Sequence, residues 1–98
     1  MHRIAIIGGT GPEGKGLATR FAIAGHKITI GSRNEKRGED VASELSETLY
    51  KSFTHKLDIS GTNNEDAAKK SDIVIIAVPY EAHLETLSEL APYLSQKI

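Results

Sequence analysis

Residues 4–14 read Ile4-Ala5-Ile6-Ile7-Gly8-Gly9-Thr10-Gly11-Pro12-Glu13-Gly14 and join an apolar run to a cluster of glycines. The pattern G-x-G-x-x-G falls on Gly9, Gly11 and Gly14. Apolar residues at helical spacing follow it, namely Leu17, Ala18, Phe21 and Ala22. A strand, a glycine turn and a helix in this order are typical of a dinucleotide-binding site.

Each glycine of the pattern has a predicted mechanical role. We expect Gly9 to permit the tight turn out of the strand and Gly11 to let the backbone approach a pyrophosphate, while Gly14 lets the helix pack against the strand. Pro12 suits the first helical turn, whose N–H groups lack intrahelical acceptors and favour an anion. The alternative is a glycine-rich structural turn that binds no ligand.

The composition of the chain limits its class. Its 98 residues allow one domain, and a net charge of −1 gives no broad basic surface for nucleic acid. The longest apolar run, Ile73 to Pro79, is too short to span a bilayer, and no signal peptide precedes the first strand. The absence of cysteine is compatible with the cytoplasmic location that we expect. Its four histidines show no metal-ligand spacing, so we expect no metal site.

Strand and helix patterns alternate along the whole chain. Strands are predicted over 2–8, 27–31, 57–60 and 72–78, and helices over 12–24, 34–50, from Asn63 or Asn64 to 69, and over 81–94. This alternation predicts an α/β fold with a Rossmann-type doubly wound parallel sheet in the order 3-2-1-4.

The predicted fold is incomplete, because its second half is missing after residue 98. Gln96-Lys97-Ile98 resembles the entrance to a fifth strand, and without that strand the fourth would be a bare apolar edge. We therefore expect residues 1–98 to be a single truncated domain, or a homo-oligomer or other partner to complete the sheet.

In such a sheet the ligand lies at the carboxyl ends of strands one and four, where the strand order reverses. The residues predicted to surround this crevice are Gly9, Thr10, Gly11, Pro12, Glu13, Gly14, Ser32, Arg33, Ala77, Val78, Pro79 and Tyr80. For Tyr80, packing in the core is the alternative to a place at the site.

The end of strand two indicates which nucleotide is bound. An NAD site usually has an acidic residue there, whereas this chain has Gly31-Ser32-Arg33-Asn34. The planar guanidinium of Arg33 suits a 2′-phosphate, and Lys36 or Arg37, one turn into the next helix, could reach the same group. Charge thus favours NADP over NAD, the alternative being an ordinary solvated basic stretch.

The stretches 3–11, 14–18, 24–26 and 31–33, followed by 64–68 and 72–79, closely resemble the coenzyme F420-dependent NADP oxidoreductases of archaea and some bacteria. The run Gly-Gly-Thr-Gly, with Gly-Ser-Arg downstream, is more specific than the general fingerprint. The cytosolic domain of membrane ferric reductases shares parts of this pattern.

The resemblance implies a role for particular positions. Thr10 would contact the nucleotide, and Ser32 and Arg33 would hold the 2′-phosphate. A further basic residue of the family falls on Arg37, with Lys36 adjacent to it.

The resemblance also places Val78 and Pro79 beside the nicotinamide, followed by an aromatic residue, here Tyr80. The family often continues with Glu-His, whereas Glu81-Ala82-His83 departs from that pattern and leaves no role assigned to His83.

The activity implied by the resemblance is hydride transfer between reduced coenzyme F420 and NADP. The two cofactors carry that chemistry, so no catalytic residue is expected in this chain, and much of the deazaflavin site would lie beyond Ile98. Alternatives are the NADP-binding domain of a pyrroline-carboxylate or ferric reductase type of enzyme, or a nucleotide-sensing module without catalysis.

Overall fold

A computed structural model describes residues 2–52, 58–78, 82–94 and 97–98. Within these ranges the elements are β1 (Arg3–Ile7), α1 (Pro12–Ile23), β2 (Lys27–Ser32), α2 (Glu35–Ser52), β3 (Ile59–Asn63), α3 (Asn64–Lys69), β4 (Ile73–Ile76), α4 (His83–Leu90) and a 3₁₀ turn (Ala91–Tyr93). The strands form one parallel sheet in the order β3-β2-β1-β4. The predicted fold class and strand order are confirmed.

Strand β1 is buried on both faces, as its nearly continuous apolar sequence predicts. Ile4 and Ile6 belong to a core cluster that includes side chains of α1 and α2. Ala5 and Ile7 point to the opposite face and belong to a cluster with side chains of α3 and α4. The sheet therefore has a helical layer on each side, which places the start of α1 at the carboxyl end of the central strand.

The predicted ends of the third strand and of the last helix differ from the structure by three residues or more. Strand β3 begins at Ile59 and continues to Asn63, beyond the predicted end at residue 60, and Leu57 lies outside the described residues. The last helix ends at Leu90 and gives way to a 3₁₀ turn that contains Pro92. Proline lacks the N–H that an α-helix needs, which accounts for the early end. The predicted start of that helix at Glu81 lies outside the described residues.

The edge of β4 was predicted to be bare, but one described residue pairs with it near its start. The N–H of Ile98 donates to the carbonyl of Asp72 at 3.1 Å, and the N–H of Val74 donates to the carbonyl of Ile98 at 2.6 Å. One residue that bonds to two residues two positions apart on the neighbouring strand, here Asp72 and Val74, shows the hydrogen-bond pattern of a parallel pair. Residue 98 thus enters the sheet beside β4, as the sequence of residues 96–98 predicts.

Helix α2 touches β3 backbone to backbone. A Cβ on Gly38 would lie 2.6 Å from the carbonyl oxygen of Thr62, and a Cβ on Gly61 would collide with the backbone of Gly38. Glycine at 38 costs helix propensity, but this contact explains why it is there. The two glycines let the helix lie directly on the edge strand.

We expect Gly38→Ala to lower the free energy of unfolding by about 1–3 kcal/mol, because the added methyl has no room beside Thr62. The matched control is Gly16→Ala in α1, where a Cβ meets nothing within 4 Å. That change should raise stability by about 0.5–1 kcal/mol through helix propensity alone. Urea denaturation of both variants tests the contact, and equal stabilisation by the two alanines would contradict it.

A bidentate ion pair joins β1 to the start of β4. The Nη2 atom of Arg3 lies 2.9 Å from Oδ1 of Asp72, and Nε lies 3.2 Å from Oδ2. The hydrogen bond from Arg3 lowers the pKa of Asp72 below its ordinary value, and the charges of Arg3 and Lys97 act in the same direction. Both side chains are about half exposed, so the stabilisation is small.

The lowered pKa of Asp72 predicts how this ion pair responds to acid. Its carboxylate stabilises the fold above the unfolded pKa of about 3.9, and this contribution is lost as the pH falls through the lower, folded pKa. Asp72→Asn should therefore be less stable than wild type at neutral pH, with the difference shrinking below about pH 4. Urea melts across this range test the prediction, which a pH-independent difference would contradict.

Candidate functional site

The turn after β1 contains one residue with a left-handed backbone. Gly8 has φ +74°, and a Cβ there would lie 2.5 Å from Cγ1 of Val78. Gly8 therefore supplies the left-handed conformation of the turn. A Cβ on Gly9 would lie 2.9 Å from the carbonyl oxygen of Ile6 in β1, which agrees with the prediction that Gly9 permits the tight turn. A Cβ on Gly9 would lie 2.9 Å from Cγ2 of Ile30, so Gly9 is needed for packing beneath the turn.

The predicted packing role of Gly14 is confirmed. A Cβ on Gly14 would lie 2.5 Å from the Cα of Gly9, so α1 packs directly on the turn. Gly11 is different, because a Cβ there would meet nothing within 4 Å. The space beside Gly11 is open to a ligand.

Helix α1 begins with N–H groups that no side chain caps. Gly11 is its N-cap and makes no side-chain capping bond, and Pro12 occupies the first turn. The N–H groups of Glu13 and Gly14 lie in that turn, where an α-helix offers no carbonyl to accept from them. The positive end of the helix dipole adds to their attraction for an anion. This helix start can hold a phosphate group beside Thr10 and Gly11.

Two side-chain hydrogen bonds shape the chain between β2 and α2. The buried Oγ of Ser32 accepts from the N–H of Asn34 at 3.2 Å, and Oδ1 of Asn34 accepts from the N–H of Arg37 at 3.1 Å. Asn34 thus caps α2 from outside the helix. The sequence analysis had predicted that Asn34 is the first residue within it. Arg33 lies between the two bonded residues, and its side chain is exposed.

The three basic residues predicted for a 2′-phosphate have different surroundings. Arg33 takes part in none of the ion pairs among the described residues, so its guanidinium has no carboxylate partner there. Lys36 instead pairs with Asp40 one turn along α2, at 3.6 Å between Nζ and Oδ1. Arg37 is exposed, and its backbone N–H is capped by Asn34.

A groove of about 490 Å³ lies at the carboxyl ends of β1, β2 and β4. Six predicted residues line it: Thr10, Gly11, Ser32, Arg33, Ala77 and Val78. Six others do not reach its lining: Gly9, Pro12, Glu13, Gly14, Lys36 and Arg37. The predicted residues Pro79 and Tyr80 lie outside the described part of the chain.

The lining also includes residues that the sequence did not single out, namely Gly8, Asn64, Ala82 and Thr86. Asn64 directly follows the end of β3, and its place at a strand end was the available signal. A second lobe of about 460 Å³ adjoins the groove and shares Ser32, Arg33 and Asn64 with it. Three glutamates line this second lobe: Glu65, Glu85 and Glu89.

His83 contacts the rim of the groove. Its Nε2 lies 2.9 Å from the carbonyl oxygen of Val78, and because a carbonyl only accepts, Nε2 is the donor. This bond ties the first turn of α4 to the chain just after β4. His83, to which no role was assigned from the sequence, therefore helps to hold Val78 in place.

Comparison with known proteins agrees with this geometry. Residues 3–98 match the family described as NADP oxidoreductase, coenzyme F420-dependent. The chain belongs to this family. An F420-dependent NADP reductase of Methanocaldococcus jannaschii is 46% identical over 98% of the chain, and one of Methanothermobacter thermautotrophicus is 38% identical over all of it.

A solved structure supports the same assignment. The crystal structure of an Arthrobacter protein assigned as an F420-dependent NADP reductase superposes with a TM-score of 0.75, at 28% identity, over 99% of this chain and 42% of that one. The chain spans 42% and 41% of the length of the two curated relatives.

Two kinds of feature are absent from the described residues of this F420-dependent NADP oxidoreductase family member. Within 2–52, 58–78, 82–94 and 97–98, no three histidine or acidic side chains come together as metal ligands. Over the same residues, no helix combines the length and apolar character that crossing a membrane requires.

Proposed function

We propose that this chain binds NADP(H) in the groove and is the NADP-binding part of an enzyme that transfers hydride between reduced coenzyme F420 and NADP. One observation carries the proposal: Gly11, the N-cap of α1, and Arg33, whose guanidinium has no carboxylate partner among the described residues, line the same groove. The relatives named F420-dependent NADP reductase, which match nearly the whole chain, support the choice of reaction.

The start of α1 is suited to the diphosphate of the cofactor. The open space beside Gly11 admits the phosphates, and the first-turn N–H groups donate to them without any side chain in between. Thr10 lines the same part of the groove and adds a hydroxyl. Because the Gly9–Gly14 contact holds this turn against the sheet, its donors keep their places when the cofactor leaves.

The end of β2 is suited to NADP rather than NAD. Arg33 lines the groove, and a guanidinium fork matches the oxygens of a 2′-phosphate. The nearest acid at the start of α2, Glu35, accepts a hydrogen bond from the hydroxyl of Thr62 at 3.1 Å. None of the described residues that line the groove itself is acidic, so no side chain there takes the place of an NAD-type carboxylate, and the glutamates lie in the adjoining lobe.

The carboxyl end of β4 is suited to the nicotinamide. Bound NADP supplies the ring carbon that accepts or gives the hydride. Ala77 and Val78 offer an apolar surface there, which excludes water and orients the ring, and His83 holds the carbonyl of Val78. Proximity and orientation are then the main contributions of the protein.

An assay with reduced F420 and NADP, using the protein at its natural length, tests the reaction. We expect reduced F420 to be oxidised when NADP is present, and far more slowly when NAD replaces NADP. The absorbance of the deazaflavin measures the rate. If the protein binds NADPH but does not oxidise reduced F420, the proposed reaction is wrong and the proposed NADP site stands. Binding of neither nucleotide would overturn both.

Arg33→Ala should weaken binding of NADPH by roughly 1–3 kcal/mol, through loss of a charge-assisted contact, and leave NADH binding nearly unchanged. The matched control is Arg20→Ala, which removes the same charge from an exposed position late in α1. Titration calorimetry with both nucleotides measures the difference. Equal losses for NADPH and NADH would rule out Arg33 as the reader of the phosphate.

Gly11→Val should abolish binding of both nucleotides, because its side chain fills the space that the diphosphate needs. Gly11 has an extended backbone at φ −83°, ψ 170°, so valine should be accepted without loss of the fold. Gly16→Val, also in open space on α1, is the control and should bind normally. Unchanged affinity in the Gly11 variant would contradict the proposed diphosphate path.

A further inference from the structure

Asn64 is not needed for the local structure around it. The helix α3 is capped by Asn63, whose Oδ1 accepts from the N–H of Asp66 at 2.8 Å and whose Nδ2 donates to the Asp66 carboxylate at 3.1 Å. Asn64 is the next residue, and among the described residues its side chain makes no hydrogen bond. An amide at this position therefore calls for an explanation outside α3.

The two ends of the Asn64 amide have different surroundings. Its Oδ1 is buried and has no partner among the described residues. This oxygen lies against Gly31 of β2, since a Cβ on Gly31 would come within 2.7 Å of it. The Nδ2 group is not among the buried unpaired atoms, so it is the accessible half of the amide. Because Asn64 lines the groove, we expect this accessible NH₂ group, with two protons to donate, to face it.

The position of Asn64 coincides with that of the proposed phosphate reader. Ser32, Arg33 and Asn64 line both the groove and its second lobe. Beyond them the second lobe has three glutamates, which repel an anion and confine it to the shared rim. An acceptor held there by Arg33 lies beside the Asn64 amide.

We infer that Asn64 is a further specificity-determining residue, whose NH₂ group donates to the same 2′-phosphate as Arg33. This inference rests on the proposed NADP site. A neutral amide adds donors beside the guanidinium without repelling it. The unpaired Oδ1 stays sealed against Gly31 and keeps the NH₂ group directed outward.

The test compares adenosine 2′,5′-bisphosphate with adenosine 5′-monophosphate, which differ only in the 2′-phosphate. Calorimetric affinities are measured for wild type, Arg33→Ala, Asn64→Ala and Asn64→Asp. Asn64→Ala should weaken the bisphosphate about tenfold and leave the monophosphate unchanged. Asn64→Asp should weaken the bisphosphate further, because a carboxylate repels the phosphate. Asn64→Ala should not melt below wild type, since Asn64 supports no hydrogen bond.

The outcomes separate this inference from the proposed function. If wild type does not prefer the bisphosphate, the NADP site itself is wrong and the inference fails with it. If wild type prefers it and Arg33→Ala removes the preference, but Asn64→Ala keeps it, only the role of Asn64 is overturned. Equal loss of both nucleotides in Asn64→Ala would also overturn it, since the amide would then bind the shared part of the ligand.

Discussion

The contact between Gly9 and Gly14 determines where the functional groups of this fold lie. Backbone meets backbone there, because neither residue has a side chain to hold α1 away from the turn after β1. The helix start is consequently fixed at the carboxyl end of the central strand, one residue past the open space at Gly11. Everything proposed for the diphosphate depends on this placement, since a helix start a few ångströms farther out would offer its donors to water.

Much of the fold could be predicted because its sequence signals are strong and local. The apolar runs, the helical spacing and the glycine turn gave the order of elements and the parallel sheet. The sequence pattern does not indicate which of two adjacent glycines adopts positive φ, because both lack a Cβ. In the structure it is Gly8. The end of β3 was missed because Gly61 is a poor strand residue, and its reason for being there is the contact with Gly38 of α2.

The site was predicted less completely than the fold. Nearness in sequence suggested Lys36 and Arg37 for the phosphate, but only Arg33 lines the groove. The spacing of Lys36 and Asp40 would have indicated their pairing, since residues four apart on a helix are neighbours. Asn64 was interpreted as a possible helix cap. Its place beside Arg33 arises from the pairing of β2 with β3, which brings together residues that are distant in sequence.

The glycine pair between α2 and β3 has a consequence for how a ligand is received. Gly38 holds the first turns of α2 on the edge strand only five positions after Arg33, and at this contact backbone meets backbone. The loop that carries the guanidinium is thereby preorganised. The protein then loses little conformational entropy when Arg33 binds a phosphate, and most of the entropy loss on binding comes from the flexible nucleotide.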